Sequence, residues 1–215
     1  MKNIRMCLII FILLLICLNL SSEVIQLGEN YYAAGVYSEE FEYFAAPYTS
    51  GRQRQSNWCW AACIQMVLNY HGVVVSQEQI VERIFGNQVN TAADPATIMY
   101  ALSGWGIDVY GNPVTIHASP YNLTGPNVVT YLAYKWPLIV GLAGDEIGHA
   151  YVLTAVYYSV DQYNYPYFHS VVLRDPWPEN PSRIELSWDE FISHLMFATS
   201  VYVQRYENEN GKIKR

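Results

Sequence analysis

The amino-acid sequence predicts an α+β domain, with an N-terminal helical half packed on one side of an antiparallel β-sheet. Three observations lead there. Apolar residues recur at helical spacing through the middle of the chain. From Pro137 onward they give way to runs rich in Val, Ile, Leu and Tyr, separated by turn residues. The two patterns are segregated rather than alternating, which separates α+β from α/β organisation. The 215 residues are 52% hydrophobic and only 14% charged, enough apolar material for one domain of ordinary size.

The elements follow in order. In "CWAACIQMVLNYHG", Cys59, Cys63, Met66, Val67 and Tyr70 share a helix face, and Gly72 supplies a stop after His71. "SQEQIVERIFG" opens with Ser76 and Gln79 at capping-box spacing and ends in Gly86. "DPATIMYALSGWG" has Asp94 as a cap and Pro95 at the first helical position. "GPNVVTYLAYKW" reads as a fourth helix, closed by Pro137. The expected strands are "PLIVGLA", "HAYVLTAVYYSV", "YFHSVVLRD", "SRIEL" and "ATSVYVQRY", with the short helix "SWDEFISHL" before the last. "VTIHASP" is a short strand or a loop.

The ends have their own character. "MKNIR" followed by "MCLIIFILLLICLNL" and "SSEV" is the pattern of a secretory signal over residues 1–22, with cleavage near Ser21–Ser22. The apolar run is short for a spanning helix, which needs about 20 residues. An uncleaved anchor is one alternative. A lipoprotein through Cys17 is another, against which Ile16 is a poor residue to precede a lipidated cysteine. The expected location is secreted or cell-envelope, periplasmic or extracellular, in a bacterium, with no stable membrane association after cleavage. Residues 23–50 are acidic and tyrosine-rich and read as an N-terminal arm or short pro-segment. Residues 51–206 form the domain, and 207–215 a flexible tail. "NLT" at Asn122–Thr124 matches a glycosylation sequon, relevant only in a host that glycosylates secreted proteins.

Charge and cysteine count exclude several classes. The formal charge is −7 with a pI of about 5.1, and there is no basic stripe, so nucleic acid is not an expected partner. Loss of residues 1–22 removes Lys2 and Arg5 and no acid, taking the charge from −7 to −9. It also removes Cys7 and Cys17. The remaining Cys59 and Cys63 are four apart on one helix face, a poor geometry for a disulfide and no framework. They have no histidine pair at zinc-like spacing, so neither metal nor cofactor is expected.

Why, then, does a thiol stand between two tryptophans at the start of a helix? At Cys59 the unpaired N–H groups and the helix dipole favour an anion. A thiolate is that anion, and it is the nucleophilic form of cysteine. Cys63, one turn deeper, lacks the advantage and is expected to be a buried, inert thiol. A thiol nucleophile needs a base, and the base an orienting partner. His149 follows the turn "GDEIG" and begins a strand, a suitable place for a general base; its bland alternative is a strand-edge histidine near solvent. His71, His117, His169 and His194 are expected to be structural, with His71 bonding the carbonyls that end its helix. Asp175, in "VVLRDPWP" at the end of the next strand, can hold the imidazole tautomer, or merely start an Asp-Pro turn. Gln53, six residues before Cys59, offers an amide N–H to an oxyanion together with the Cys59 backbone N–H, with Gln55 as the alternative. Trp60 and Trp177 are candidates for the walls of the site or for core packing.

Gln53, then "CWAA", "GHAYVL" and "LRDPWP", resemble in order and spacing a papain-like cysteine peptidase, over residues 50–205 or so. The resemblance implies a papain-like fold, Cys59 as nucleophile, His149 as base, Asp175 as orienting residue and Gln53 as oxyanion donor. Three departures point to compact bacterial members. Cys59 and His149 are 90 residues apart, fewer than the roughly 130–150 of the papain and cathepsin type. The orienting residue is aspartate, where papain has asparagine. Ser56 stands where papain has a disulfide cysteine. Similar compact forms include secreted or effector peptidases and the leader-cleaving domains of bacteriocin exporters, though no transporter segment or ATP-binding motif is present. The implied function is hydrolysis of a protein or peptide substrate through an acyl-enzyme. The alternatives are an acyltransferase or amidase using the same triad, and a non-catalytic binding module.

Overall fold

The computed structural model describes residues 24–45, 51–123, 125–144 and 148–206. The expected signal segment with Cys7 and Cys17, Thr124 of the sequon, residues 145–147 of the turn before His149, and the tail lie outside the described residues.

Two strands, β1 (Val24–Gly28) and β2 (Tyr31–Gly35), precede the first helix, α1 (Ser38–Ala45). Three helices follow: α2 (Cys59–Tyr70), α3 (Gln77–Phe85) and α4 (Pro95–Leu102). Next come β3 (Val114–Pro120), α5 (Asn127–Ala133), β4 (Leu138–Leu142), β5 (His149–Val160), β6 (Pro166–Arg174) and β7 (Arg183–Ser187). The described chain closes with α6 (Trp188–His194) and β8 (Leu195–Arg205). The sequence signals act locally as expected. Ser76 and Gln79 form a capping box, Asp94 accepts from the Thr97 N–H, and Gly72 takes a left-handed φ of 77° beyond α2.

All strand pairs are antiparallel, in the order β1-β2-β5-β4-β8-β3. β5 is the hub. One edge pairs with β4 over His149–Leu153 and with β2 over Ala155–Tyr158; the other edge pairs with β6, which carries β7. The register places the start of β5 beside the end of β6, so His149 and Asp175 meet across one strand pair.

The expectation of helices on one side of the sheet is corrected. Ile139, Ala150, Val152, Val201 and Val203 pack with α2, α3 and α4. Leu138, Val140, Leu142, Leu153 and Leu173 pack with Val128 and Leu132 of α5 and Phe191 of α6 on the opposite face. The cause is visible in β4. All five residues of "LIVGL" are buried, and a strand buried on both faces needs cover on both.

Residues 24–45 are woven into the same body. β2 extends the sheet, and Phe41 of α1 is buried against the core around α2. β1, β2 and α1 carry no strong periodic signal, and they form because β5 offers a free edge beyond β4.

Candidate active site

Cys59 is the first residue of α2. The preceding Trp58 has no side-chain cap hydrogen bond, so the N-cap residue takes none of the first-turn N–H groups. The two flanking indoles have a different task. Trp58 Nε1 donates to Val89 O (2.8 Å) and Trp60 Nε1 to Thr91 O (3.1 Å). Asn57 N donates to Asn90 Oδ1 (2.9 Å). The helix start is thereby bound to the loop that leads into α4, and both tryptophans are buried.

The structure brings three of the expected residues together. Imidazole Nε2 of His149 lies 2.9 Å from Asp175 Oδ1. Its other ring nitrogen is left for the Cys59 thiol, which lines the same cleft and whose titration is coupled to that of the ring. Burial alone pushes the Cys59 thiol up. The His149 hydrogen bond, the Ala150 N–H, the imidazolium charge and the Trp60 N–H outweigh that and hold it below the ordinary thiol value. Burial likewise disfavours a charged His149, but the hydrogen bonds with Asp175 and Cys59 push the ring up to about 9. The two shifts run in opposite directions, the thiol down and the imidazole up, the sense that favours a thiolate beside an imidazolium. Asp175 is only 2% exposed. Burial raises its carboxyl, while hydrogen bonds from His149, the Asn180 amide and the Trp177 N–H keep it below its ordinary value.

Cys63 is fully buried, and burial followed by the neighbouring Cys59 and Asp175 charges pushes its thiol well above the ordinary value. The other four histidines sit elsewhere. His117 Nε2 meets Gln204 Oε1, His169 Nε2 meets Ser159 Oγ, and His194 Nδ1 faces Glu190 O. For His71 the expected side-chain bond to helix carbonyls is absent. Its backbone N–H closes α2, its Nε2 is buried without a partner, and burial takes the ring down to about 3.

Gln53 is buried, and its amide Nε2 donates to Gln55 O (3.0 Å) and Ser56 O (2.9 Å), while Oε1 has no partner. The amide thus holds its own loop and is not presented free to a ligand. Gln55 is exposed, and its backbone oxygen accepts from Trp58 N. Trp60 lines an apolar cleft of about 320 Å³ together with Cys59, His149, Ile98, Met196 and Phe197. A Cβ at Gly141 would collide with the Phe197 ring, so this glycine lets Phe197 lie across β4. Trp177 does not line that cleft. It is half-exposed and stands edge-to-face with the His149 ring, 6.2 Å between centroids.

Residues 41–196 match the family model described as papain-like cysteine protease AvrRpt2. The chain belongs to this family. Among solved structures it is similar to the peptidase domain of Streptococcus ComA, a bifunctional ABC transporter involved in a quorum-sensing pathway. The identity is 16%, over 72% of this chain and 96% of that one, with a TM-score of 0.49. It is also similar to the peptidase domain of Streptococcus mutans ComA, at 14% identity over 72% and 99% of the two chains, with a TM-score of 0.39. No curated protein matches. As a papain-like cysteine peptidase, this protein takes a protein or peptide as substrate.

Three polar residues of the peptidase site escaped the sequence reading. Asn180 Nδ2 donates to Asp175 Oδ2 (2.8 Å). Arg52 reaches the carbonyls of Asp175, Trp177 and Asn180. Gln77, wholly buried, donates to Arg52 O (2.8 Å) and Gln65 Oε1 (3.0 Å) and accepts from Arg54 N (3.0 Å). Arg52 and Gln77 lie in ordinary polar stretches, and their partners are main-chain groups or, for Gln77, also a side chain 12 residues away. The one available signal was the turn-rich "DPWPENP", which places an amide five residues after Asp175.

Proposed function

We propose that this is a secreted cysteine peptidase working through a Cys59–His149–Asp175 triad and an acyl-enzyme. The observation that carries the reading is His149, bridging a depressed thiol and a buried carboxylate at the mouth of an apolar cleft. The Cys59 thiolate attacks the scissile carbonyl carbon and a C–S bond forms. As the tetrahedral intermediate collapses, the C–N bond breaks and imidazolium His149 gives its proton to the leaving amine. Neutral His149 then takes a proton from water, whose oxygen attacks the thioester. The C–S bond breaks, the acid leaves, and the thiolate–imidazolium pair returns.

The oxyanion formed in both steps is met by the Cys59 N–H, which at the first helical position has no intrahelical acceptor. Gln53 supplies the second donor by exchanging one loop carbonyl for the substrate oxygen. Trp60 stands in the cleft wall, and Trp177 covers the His149–Asp175 bond from solvent. Residues 1–22 act as the secretory signal, leaving a mature chain of charge −9.

The test is the alkylation rate of Cys59 against pH, read by peptide mass spectrometry, in the protein and in His149→Ala. An unperturbed thiol titrates near pH 8.5. Fast labelling is expected to persist well below that and to be lost in the variant. Peptidase activity should fall again as pH rises through about 9, where His149 loses the proton destined for the leaving amine. Ordinary thiol titration in the unaltered protein would defeat the triad.

A further inference from the structure

The orienting carboxylate belongs to a loop that has no regular structure of its own. Between the end of β6 and the start of β7, residues 175–182 carry three prolines and a short turn. Such a segment keeps a catalytic geometry only if something outside it holds it. The candidate for that hold is one side chain. The Arg52 guanidinium donates through Nη1 to Asp175 O (2.8 Å) and Trp177 O (2.8 Å), and through Nη2 to Asn180 O (2.7 Å). Two main-chain bonds run alongside, Gln53 N to Pro176 O (2.8 Å) and Asp175 N to Ser182 O (2.9 Å). Asn180, whose carbonyl Arg52 holds, turns its side-chain amide back onto Asp175 Oδ2 (2.8 Å). The other carboxylate oxygen takes His149 Nε2 and the Trp177 N–H (2.8 Å).

We propose that Arg52 and Asn180 are positioning residues for the triad, locking the Asp175 carboxylate in the plane that holds His149 toward Cys59. The inference rests on the triad reading above. Arg52 touches no reacting atom; it acts through the backbone on either side of Asp175 and Trp177. Asn180 acts on the carboxylate directly. A planar guanidinium with several fixed N–H vectors suits three carbonyls at once, and a lysine ammonium does not. The same arginine joins the two halves of the site. Its own carbonyl is held by Gln77, so the loop carrying Gln53 and the loop carrying Asp175 are registered against each other through one residue. The surroundings are charge-compatible. Asp175 is held below its ordinary value in part by the Asn180 amide, and among the described residues no acidic side chain forms an ion pair with Arg52.

The experiment compares the full chain with Arg52→Met, Arg52→Lys and Asn180→Ala. Iodoacetamide is the probe, and the pH dependence of Cys59 labelling is read beside the melting temperature. Asn180 is exposed and its loss removes one side-chain bond, so this variant remains informative even where Arg52→Met fails to fold. Both Arg52→Met and Asn180→Ala should move the acid limb of labelling upward, lowering the rate at pH 6 by about tenfold for each unit of thiol shift. Arg52→Lys should fall between, because its three N–H donors radiate from one nitrogen and do not reproduce the spread fork of the guanidinium. A lower melting temperature with an unchanged limb would make the clamp a matter of stability alone and overturn the proposal. A thiol that titrates normally in the unaltered protein would instead remove the triad on which it rests.

Discussion

Cys59 and Cys63 stand one turn apart on the same helix, and their thiols are driven in opposite directions. Cys59 is partly exposed at the helix start, where two backbone N–H groups and His149 meet its sulfur. Cys63 is sealed in the core, where every neighbouring charge is negative and desolvation has nothing to oppose it. The contrast teaches that helix position alone does not activate a thiol. Both residues feel the same helix dipole to different degrees, but the sign of the shift follows the hydrogen-bond donors available to the charged form.

The comparison is broken most completely at the sulfur itself. Cys59→Ala should abolish peptide hydrolysis while leaving the melting temperature near that of the parent; retained turnover would sink the mechanism. Asp175→Asn tests the outer end of the chain of contacts. It swaps a charged acceptor for an amide that can present the wrong group to His149, and kcat should fall by about 10²–10⁴-fold. An unchanged kcat would mean that His149 needs no orienting charge. Gln53→Ala sharpens the role of the donors. As an oxyanion donor its loss should lower kcat by about 10²–10³-fold with KM little changed. If the variant merely melts earlier, Gln53 is a loop brace and the Cys59 N–H acts without it. The smallest effect belongs to Cys63→Ala. It should leave the pH profile of Cys59 labelling where it was and cost about 1 kcal/mol of stability, the scale of a small buried deletion. A moved profile would show that the two thiols are coupled, contrary to the present reading.

Much of the site could be read from the chain because its members mark secondary-structure ends. Cys59 opens a helix, His149 opens a strand and Asp175 follows one, and such boundaries leave traces in periodicity and turn residues. Five helices and the strands from β4 onward were legible for the same reason. The hairpin of β1 and β2 was not, because its residues carry no face that a core of their own would bury. It exists as an addition to the free edge of β5. The cover on the second face of the sheet was hidden in plain view in "LIVGL", a run compatible with burial on one face or two.

By itself, the sequence determined which residues have the chemistry for the site and which element each one opens or closes. Propensity, caps and hydrophobic period act over a few residues, and that range suffices to put a thiol at a helix start and an imidazole at a strand start. The tertiary structure alone decided how those residues face one another. The register of β5 against β6 brings His149 to Asp175. The packing of α2 across β5 brings Cys59 to His149. Arg52 and Gln77 set the loops through hydrogen bonds to main-chain oxygens. Backbone groups are the same at every residue, so a bond to one of them leaves no mark in the sequence of its partner. That is why Cys59, His149 and Asp175 were visible beforehand, while Arg52 and Gln77, which hold their surroundings through main-chain oxygens, were not.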